Sequence, residues 1–304
     1  DWSDDRQVRR LISDFSAELL RDIYDYTISL PSNINTFYAN LNVATGELLV
    51  QGDPDAAADS ITLNEVANDI RVQVNGTSER IEAAAVTTIN VQSGSGNDFI
   101  NVDQTPIGIP TDVFAGIGKA VINIANATGN LTFVDGNVNI HGGSGIDVVN
   151  IQDLNRDADQ AYFIDNDSIT PTGLGYSNTY DIQTENLFLN ADQGDSFFSI
   201  DGVGSSTSMV INGQGGDDNF NAGGVSLFPL LGQILGPLSM NGGPGQDTVN
   251  FDDGAQVGSQ TFTITQATLQ RSGLPHPLVY SNMEQARLTA GGGSDVVHLS
   301  LIHI

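Results

Sequence analysis

From about residue 50 onward, apolar and polar side chains alternate in short runs, and the runs come in pairs around glycine-rich turns. Ahead of successive turns stand Ile89 and Val91, Val138 and Ile140, Leu187 and Leu189, Met209 and Ile211, and Leu238 and Met240. Beyond the turns the alternation resumes with Ile100/Val102, Ile122/Ile124, Val149/Ile151, Phe198/Ile200, Val249/Phe251 and Val297/Leu299. A period of two places each pair on one face of a strand, and no helix produces it. Each unit therefore predicts strand, turn and strand with one buried face. Between the inward residues stands Asn101, Asn123, Asn150, Asn221 or Asn250. Asparagine is ordinarily depleted from strands. Its recurrence predicts amides stacked in register, roughly one strand spacing of 4.8 Å apart.

The turns are copies of one another. The clearest are Ser93-Gly94-Ser95-Gly96-Asn97-Asp98, Gly142-Gly143-Ser144-Gly145-Ile146-Asp147 and Gly242-Gly243-Pro244-Gly245-Gln246-Asp247. Looser copies end at Asp218 and Asp295, two have Ala120 and Ser196 in place of the aspartate, and an earlier one centres on Asp59. Across positions 98, 120, 147, 196, 218, 247 and 295, steps of 22, 27 and 49 residues are followed by 22, 29 and 48. The steps themselves repeat, which defines a higher-order unit of about a hundred residues: roughly 50–150, 151–250 and a truncated 251–304. If each long step holds two coils, one unit holds four coils of about 24 residues. Two segments interrupt the array, Asp153 to Asn190 and Asp252 to Met283. Glu185 and Glu284 share an offset before their turns, and Tyr280-Ser281-Asn282 repeats Tyr176-Ser177-Asn178. These segments predict longer coils with loops protruding around Gly173 and Pro275.

Turns lying above one another, with inward Val, Ile and Leu forming a continuous core, predict an all-β chain: a right-handed parallel β-helix over residues 31–304. The acidic tips of its turns are expected to line up on a single ridge. In residues 1–30, Val8, Leu11, Ile12, Phe15, Leu19 and Ile23 recur at three- or four-residue spacing, which predicts an amphipathic helix. It is read as a cap over the open end of the array. Arg6, Arg9, Arg10 and Arg21 on the same segment leave membrane-surface or partner docking as the alternative.

Composition narrows the function. Of 304 residues, 37 are Asp or Glu and 10 are Lys or Arg, for a formal charge of -27. Such a chain repels a phosphate backbone, so no nucleic-acid partner is expected and cations are the natural ligands. The absence of cysteine excludes disulfides, thiolate zinc sites and thiol nucleophiles. At 39% hydrophobic residues there is enough apolar material for a core. No apolar run reaches the length of a membrane span. The chain opens at Asp1 with no secretory leader pattern and reads as a processed chain or a fragment. Leu299 to Ile304 breaks the repeat and resembles read-through of a sequencing adaptor. An acidic, thiol-free chain with one lysine suits a position outside a bacterial cell.

With these residues in view, the turns resemble the Gly-Gly-x-Gly-x-Asp-x-apolar-x repeats of RTX, or haemolysin-type calcium-binding, proteins, best at Gly142 and Gly242. The hundred-residue arrangement is similar to long repetitive surface or secreted proteins of environmental bacteria, and the resemblance covers roughly Gly52 to Leu299. In that family, aspartate carboxylates and turn carbonyls enclose calcium. The resemblance implies Ca2+ held by Asp98, Asp147, Asp218, Asp247 and Asp295, with Gly96, Gly145, Gly216 and Gly245 shaping the turns. A hard divalent cation takes six to eight oxygens. This chain departs from the family pattern, because RTX arrays repeat every nine residues. An aspartate in such a turn can also accept backbone N–H bonds as Asx motifs do, with no metal.

Catalytic chemistry finds no constellation. Acid pairs exist at Asp165/Asp167 and Asp252/Asp253, but Arg71, Arg80, Lys119, Arg156, Arg271 and Arg287 are scattered, and His141, His276, His298 and His303 form no motif. No catalytic residue is expected. The expected function is a calcium-binding, calcium-stabilised structural or adhesive segment of a larger extracellular or bacterial cell-surface protein, with calcium ions, neighbouring repeats and surface glycans as partners. The alternative is a glycan-binding or polysaccharide-acting module using the loops around Tyr176 and Tyr280, although Trp2 is the only tryptophan.

Overall fold

The computed structural model describes residues 38–54, 57–156, 158–175, 178–180, 184–225 and 230–300. The helix expected over residues 1–30 lies outside them. Residues 38–304 form one compact unit. It is all-β: among the described residues there is no α-helix, and the helical elements are the short 3-10 turns Ala83–Ala85, Leu131–Phe133 and Leu231–Gln233.

Two long sheets contain nearly all the strands among the described residues, twelve in sheet A and thirteen in sheet B. The chain alternates between them. It runs through Thr88–Gln92 (A), Phe99–Val102 (B), Thr111–Phe114 (A), Val121–Ile124 (B), Val138–His141 (A) and Val148–Gln152 (B), then continues in the same manner. Each strand pairs in parallel with the one laid down two visits earlier, with no register slip. Ile100, Ile122, Val149, Leu187, Met209 and Leu238 fall on one row of sheet B. Val50, Val91, Val113 and Ile140 do the same in sheet A. Every one of these side chains is buried, and together they belong to a single apolar core fed by both sheets. Full burial of such a side chain contributes roughly 1.5–3 kcal/mol, which pins the register because a one-residue slip would expose the whole row.

On the outer faces the asparagines stack as expected. Asn123 Nδ2 donates to Asn101 Oδ1 at 3.1 Å and Asn150 Nδ2 to Asn123 Oδ1 at 2.8 Å. Asn250 reaches Asn221 at 3.1 Å in sheet A. A further ladder runs through Gln152, Asn190, Asn212 and Asn241.

The interrupting segments are three-stranded antiparallel meanders, each taking the place of one strand. Ala161–Ile164, Ser168–Pro171 and Asn178–Tyr180 sit in sheet A, and Thr261–Ile264, Thr268–Arg271 and Leu278–Ser281 sit in sheet B. A third meander, Ser60–Val66, Asp69–Val74 and Thr77–Glu82, ends sheet B. In the two internal copies the last strand pairs with the preceding circuit and the first with the following one. Register aligns Tyr280 with Tyr180, each opposite an inward residue of the preceding strand, Met240 or Ile140. The sequence match to Tyr176 is thus four residues out.

These meanders change the count of circuits. From Thr88–Gln92 to its hundred-residue equivalent Asn186–Asn190 the chain makes seven sheet visits, counting the meander once. One unit therefore holds three and a half circuits, and four was the wrong expectation. The odd number moves equivalent turns to opposite edges. Asp59, Asp98, Ala120, Asp147 and Asp295 lie where the chain passes from A to B, whereas Ser196, Asp218 and Asp247 lie where it passes from B to A. The single acidic ridge expected from the sequence is two rows on two edges.

Candidate functional site

The turns stack as closely as the strands. Ser95–Gly96 pairs in parallel with Ile117–Gly118, and Ile117 bridges on to Ser144. Ile117 N–H donates to Gly94 O at 2.8 Å, Lys119 N–H to Gly96 O at 3.1 Å and Ser144 N–H to Gly116 O at 2.9 Å. Turn carbonyls are thus occupied by the next turn. This contact explains the glycines. At Gly145 (φ +145°) the carbonyl oxygen of Gly118 fills the space a Cβ would take, and at Gly245 the oxygen of Gly216 does so. Gly118, Gly96 and Gly216 are approached in the same way by Gly96 O, Ala57 O and Gly194 O.

The aspartates close the gap between successive turns. Asp59 N–H donates to Asp98 Oδ1 at 2.9 Å and Ala120 N–H to Asp147 Oδ1 at 2.8 Å on the first edge. On the second edge Ser196 N–H donates to Asp218 Oδ1 and Asp218 N–H to Asp247 Oδ1, both at 2.8 Å. Gln260 N–H reaches Asp295 Oδ1 at 2.8 Å. Asp98, Asp147, Asp218, Asp247 and Asp295 therefore each cap the equivalent residue of the preceding circuit, whereas Asp59, in the first circuit, accepts Asp53 N–H of its own turn at 3.0 Å. Where the next circuit has alanine, Asp98 N–H turns to Lys119 O instead. Where the meanders intervene, a longer side chain spans the distance: Glu185 Oε2 accepts Asp147 N–H at 2.8 Å, and Glu284 Oε2 accepts Asp247 N–H at 2.7 Å. A second, exposed row at the turn tips runs the opposite way, each carboxylate accepting from the following circuit: Asp217 N–H on Asp195 Oδ1 at 2.7 Å and Gln246 N–H on Asp217 Oδ1 at 2.9 Å.

The clamp carboxylates are buried: Asp98 is 2% exposed, Asp147 0%, Asp218 1% and Asp247 0%. The second oxygens of Asp59, Asp98, Asp218 and Asp247 have no hydrogen-bond partner. Those of Asp59, Asp218 and Asp247 face the Cα of the glycine that opens their own turn, Gly52, Gly213 or Gly242. At Asp218 and Asp247 such dehydration disfavours the ionised form. Burial, and then the nearby negative charges of Asp247, Asp192 and Asp195, push Asp218 up to about 7, and burial also raises Asp247.

Two further buried acids mark the start of the internal meanders; the sequence named Asp153 only as a segment boundary and Asp253 only as half of an acid pair. Asp153 Oδ1 accepts Leu131 N–H at 2.9 Å and Asp253 Oδ1 accepts Leu231 N–H at 3.2 Å, so each caps a 3-10 turn one circuit away. Their other oxygens differ. Asp253 meets the buried Arg271 guanidinium at 2.6 Å. Asp153 instead receives the Tyr162 hydroxyl at 2.9 Å, with Arg156 at 3.6 Å. Beside them Asp192 accepts Gly194 N–H and the Ser196 hydroxyl, and burial pushes it up to about 6. The hundred-residue spacing of Asp153 and Asp253, and the shared offset of Glu185 and Glu284, were the signals available in the sequence.

A calcium site asks for six or more converging oxygens. Asp98 and Asp147 lie on one edge with Ala120 between them, Asp218 and Asp247 lie on the other, and Asp295 lies on the first edge beside Gln260. At each clamp one carboxylate oxygen already caps an N–H group, and the carbonyls of Gly94, Gly96 and Gly116 are taken. Among the described residues no group of three or more His, Cys, Asp or Glu side chains is placed to hold a metal ion. The glycan platform also changes, because Tyr280 is 5% exposed and its hydroxyl donates to Thr265 O at 2.6 Å, while Tyr176 lies outside the described residues. No helix among the described residues is long and apolar enough to cross a membrane. Compared with known proteins, the chain matches no protein-family model, no curated protein and no solved structure.

Proposed function

We propose that this chain is a structural segment of a bacterial extracellular or surface protein: a right-handed β-solenoid whose coils are the circuits described above and whose aspartate turns clamp coil to coil without calcium. Parallel crossover connections are right-handed in nearly all cases, which supplies the hand. Continuous rows of inward side chains, amide ladders on the outer faces and the acidic, cysteine-free composition favour a scaffold over an enzyme. One observation carries the reading. The carboxylates of Asp98, Asp147, Asp218 and Asp247 each accept a backbone N–H from the circuit before, at 2.8–2.9 Å on both edges. A bond from a backbone N–H to a carboxyl oxygen contributes about 0.5–1.5 kcal/mol, and about 1.5–3 kcal/mol where the carboxyl is ionised, so these residues hold the array together with the groups they already have.

Thermal unfolding in chelator and in millimolar calcium tests the proposal. The same melting temperature within 1–2 °C is expected, at ionic strength high enough to screen surface charge (on the order of 0.15 M, Debye length ~8 Å). A large calcium-dependent rise, abolished by substituting Asp218 and Asp247, would return calcium to the clamp rows and overturn the reading.

A further inference from the structure

The two ends of the array are finished differently. At one end both sheets close with an antiparallel strand: Ala39–Asn42 on Glu47–Gln51 in sheet A, and Thr77–Glu82 on Asp69–Val74 in sheet B. The second of these carries Glu79, Arg80 and Glu82, and Ile70, Val72 and Val74 behind it are at most 1% exposed. Charged, short edge strands of this kind discourage further pairing. At the other end Gln285–Thr289 and Val296–Leu299 each pair in parallel with one neighbour and, among the described residues, leave the following edge unpaired. Val297 and Leu299 occupy inward positions in register with Phe262 and Ile264, yet they are 47% and 64% exposed. Their hundred-residue equivalents Phe198 and Ile200 are 0% exposed.

We infer that this edge is a docking surface for one further coil of the same repeat, entering as two parallel strands joined by a glycine turn with an acid at the clamp position. The inference rests on the stacked-coil reading above. Three features specify the occupant. The seat continues the coil-to-coil interface, so the partner needs inward apolar residues at alternate positions to cover Val297 and Leu299. The clamp row ends at Asp295, which receives Gln260 N–H but, by the rule obeyed at Asp59, Ala120, Ser196 and Asp218, presents its own N–H to an acid one coil further on. The last two strands and their turn, residues 285–300, contain one acid, Asp295, beside Arg287 and His298. This stretch lacks the excess negative charge that repels an equally acidic coil elsewhere. By the hundred-residue equivalence of Leu299 with Ile200, the coil that fits is patterned like 201–224, which contains Ser208–Asn212, Asn219–Ala222 and the clamp acid Asp218.

The test is a chimaera in which residues 1–299 are followed directly by a second copy of 201–224, compared with the full chain and with a control whose appended copy starts one residue later. The in-register chimaera is expected to melt higher than the full chain by several degrees and to protect the amides of Val297 and Leu299 from hydrogen exchange about tenfold or more. The slipped control should do neither, because it turns its apolar residues outward. Equal behaviour of the two chimaeras overturns the inference. So does sedimentation showing that the full chain forms a dimer abolished by Leu299→Asp, since the occupant would then be a second copy and not an added coil. Asp218→Ala in the full chain separates the two levels. A lower melting temperature there with no gain in the chimaera sinks only this inference, whereas no loss at Asp218→Ala sinks the clamp reading beneath it.

Discussion

Asp218 separates a clamp from a metal ligand, because a single accepted N–H bond lets a buried carboxyl keep its proton, whereas a bound cation requires it ionised. Its carboxylate is 1% exposed, accepts Ser196 N–H through Oδ1 and leaves Oδ2 without a partner. Burial and neighbouring acids push it from 3.8 to about 7. A folded-state value above the unfolded one means the native state holds the proton more tightly. Stability is therefore fully present below about pH 3.8 and is lost as pH rises through 7. A rise from 3.8 to about 7 corresponds to at most about 4 kcal/mol in total, of which about 2.5 kcal/mol falls between pH 5 and pH 8. Asp218→Asn keeps an oxygen for Ser196 N–H and removes the charge. Its cost in burying an amide NH2 is the same at both pH values and cancels in the difference. Chemical or thermal denaturation of wild type and variant at pH 5 and pH 8, both above the pI of about 4.1, should show the variant gaining on wild type by about 2 kcal/mol as pH rises, or roughly 5 °C in melting temperature. A bound cation would need the ionised carboxylate, so the variant would lose ground at pH 8 and calcium would stabilise only the wild type. A gap that is flat or reversed with pH refutes the reasoning.

Two other substitutions probe the stacking. Gly245→Ala should cost at least about 3 kcal/mol, since the new methyl meets the Gly216 carbonyl at a positive φ, whereas Gly173→Ala (φ +76°, no atom within 4 Å) should cost about 1 kcal/mol; equal losses in a melting series would show that turns do not pack on turns. Arg271→Met should lower stability by about 3–5 kcal/mol at pH 8 and by less at pH 5, because it strands the buried Asp253 carboxylate, already raised by burial, which then takes up a proton; a loss independent of pH argues against the pair.

Much of this fold was legible along the chain. The alternation at Ile100/Val102, Ile122/Ile124 and Val149/Ile151 marked inward residues correctly, because strand period is a local property and the core asks only that one face be apolar. Asn101, Asn123 and Asn150 could be assigned to a ladder for the same reason: residues at identical offsets in a repeat stack when the repeats stack. The meanders were harder. The run Ala161–Ile164, followed by Ser168–Pro171, alternates whether the chain crosses to the other sheet or turns back beside itself. That choice depends on which neighbour completes the hydrogen bonds. The role of Asp98 and Asp218 was open for a similar reason, since a carboxylate in a glycine turn suits both a cation and an N–H group.

The repeat and the inward faces were therefore written in the sequence, where residue type and spacing are enough to specify them. Tertiary structure decided the parity. Seven sheet visits per hundred residues send Asp147 and Asp247 to opposite edges, and only the assembled stack shows the Gly94 and Gly96 carbonyls already bonded to Ile117 and Lys119. Whether an oxygen is free to bind an ion depends on what lies one strand spacing away, and that neighbour is 20 to 40 residues distant in the chain.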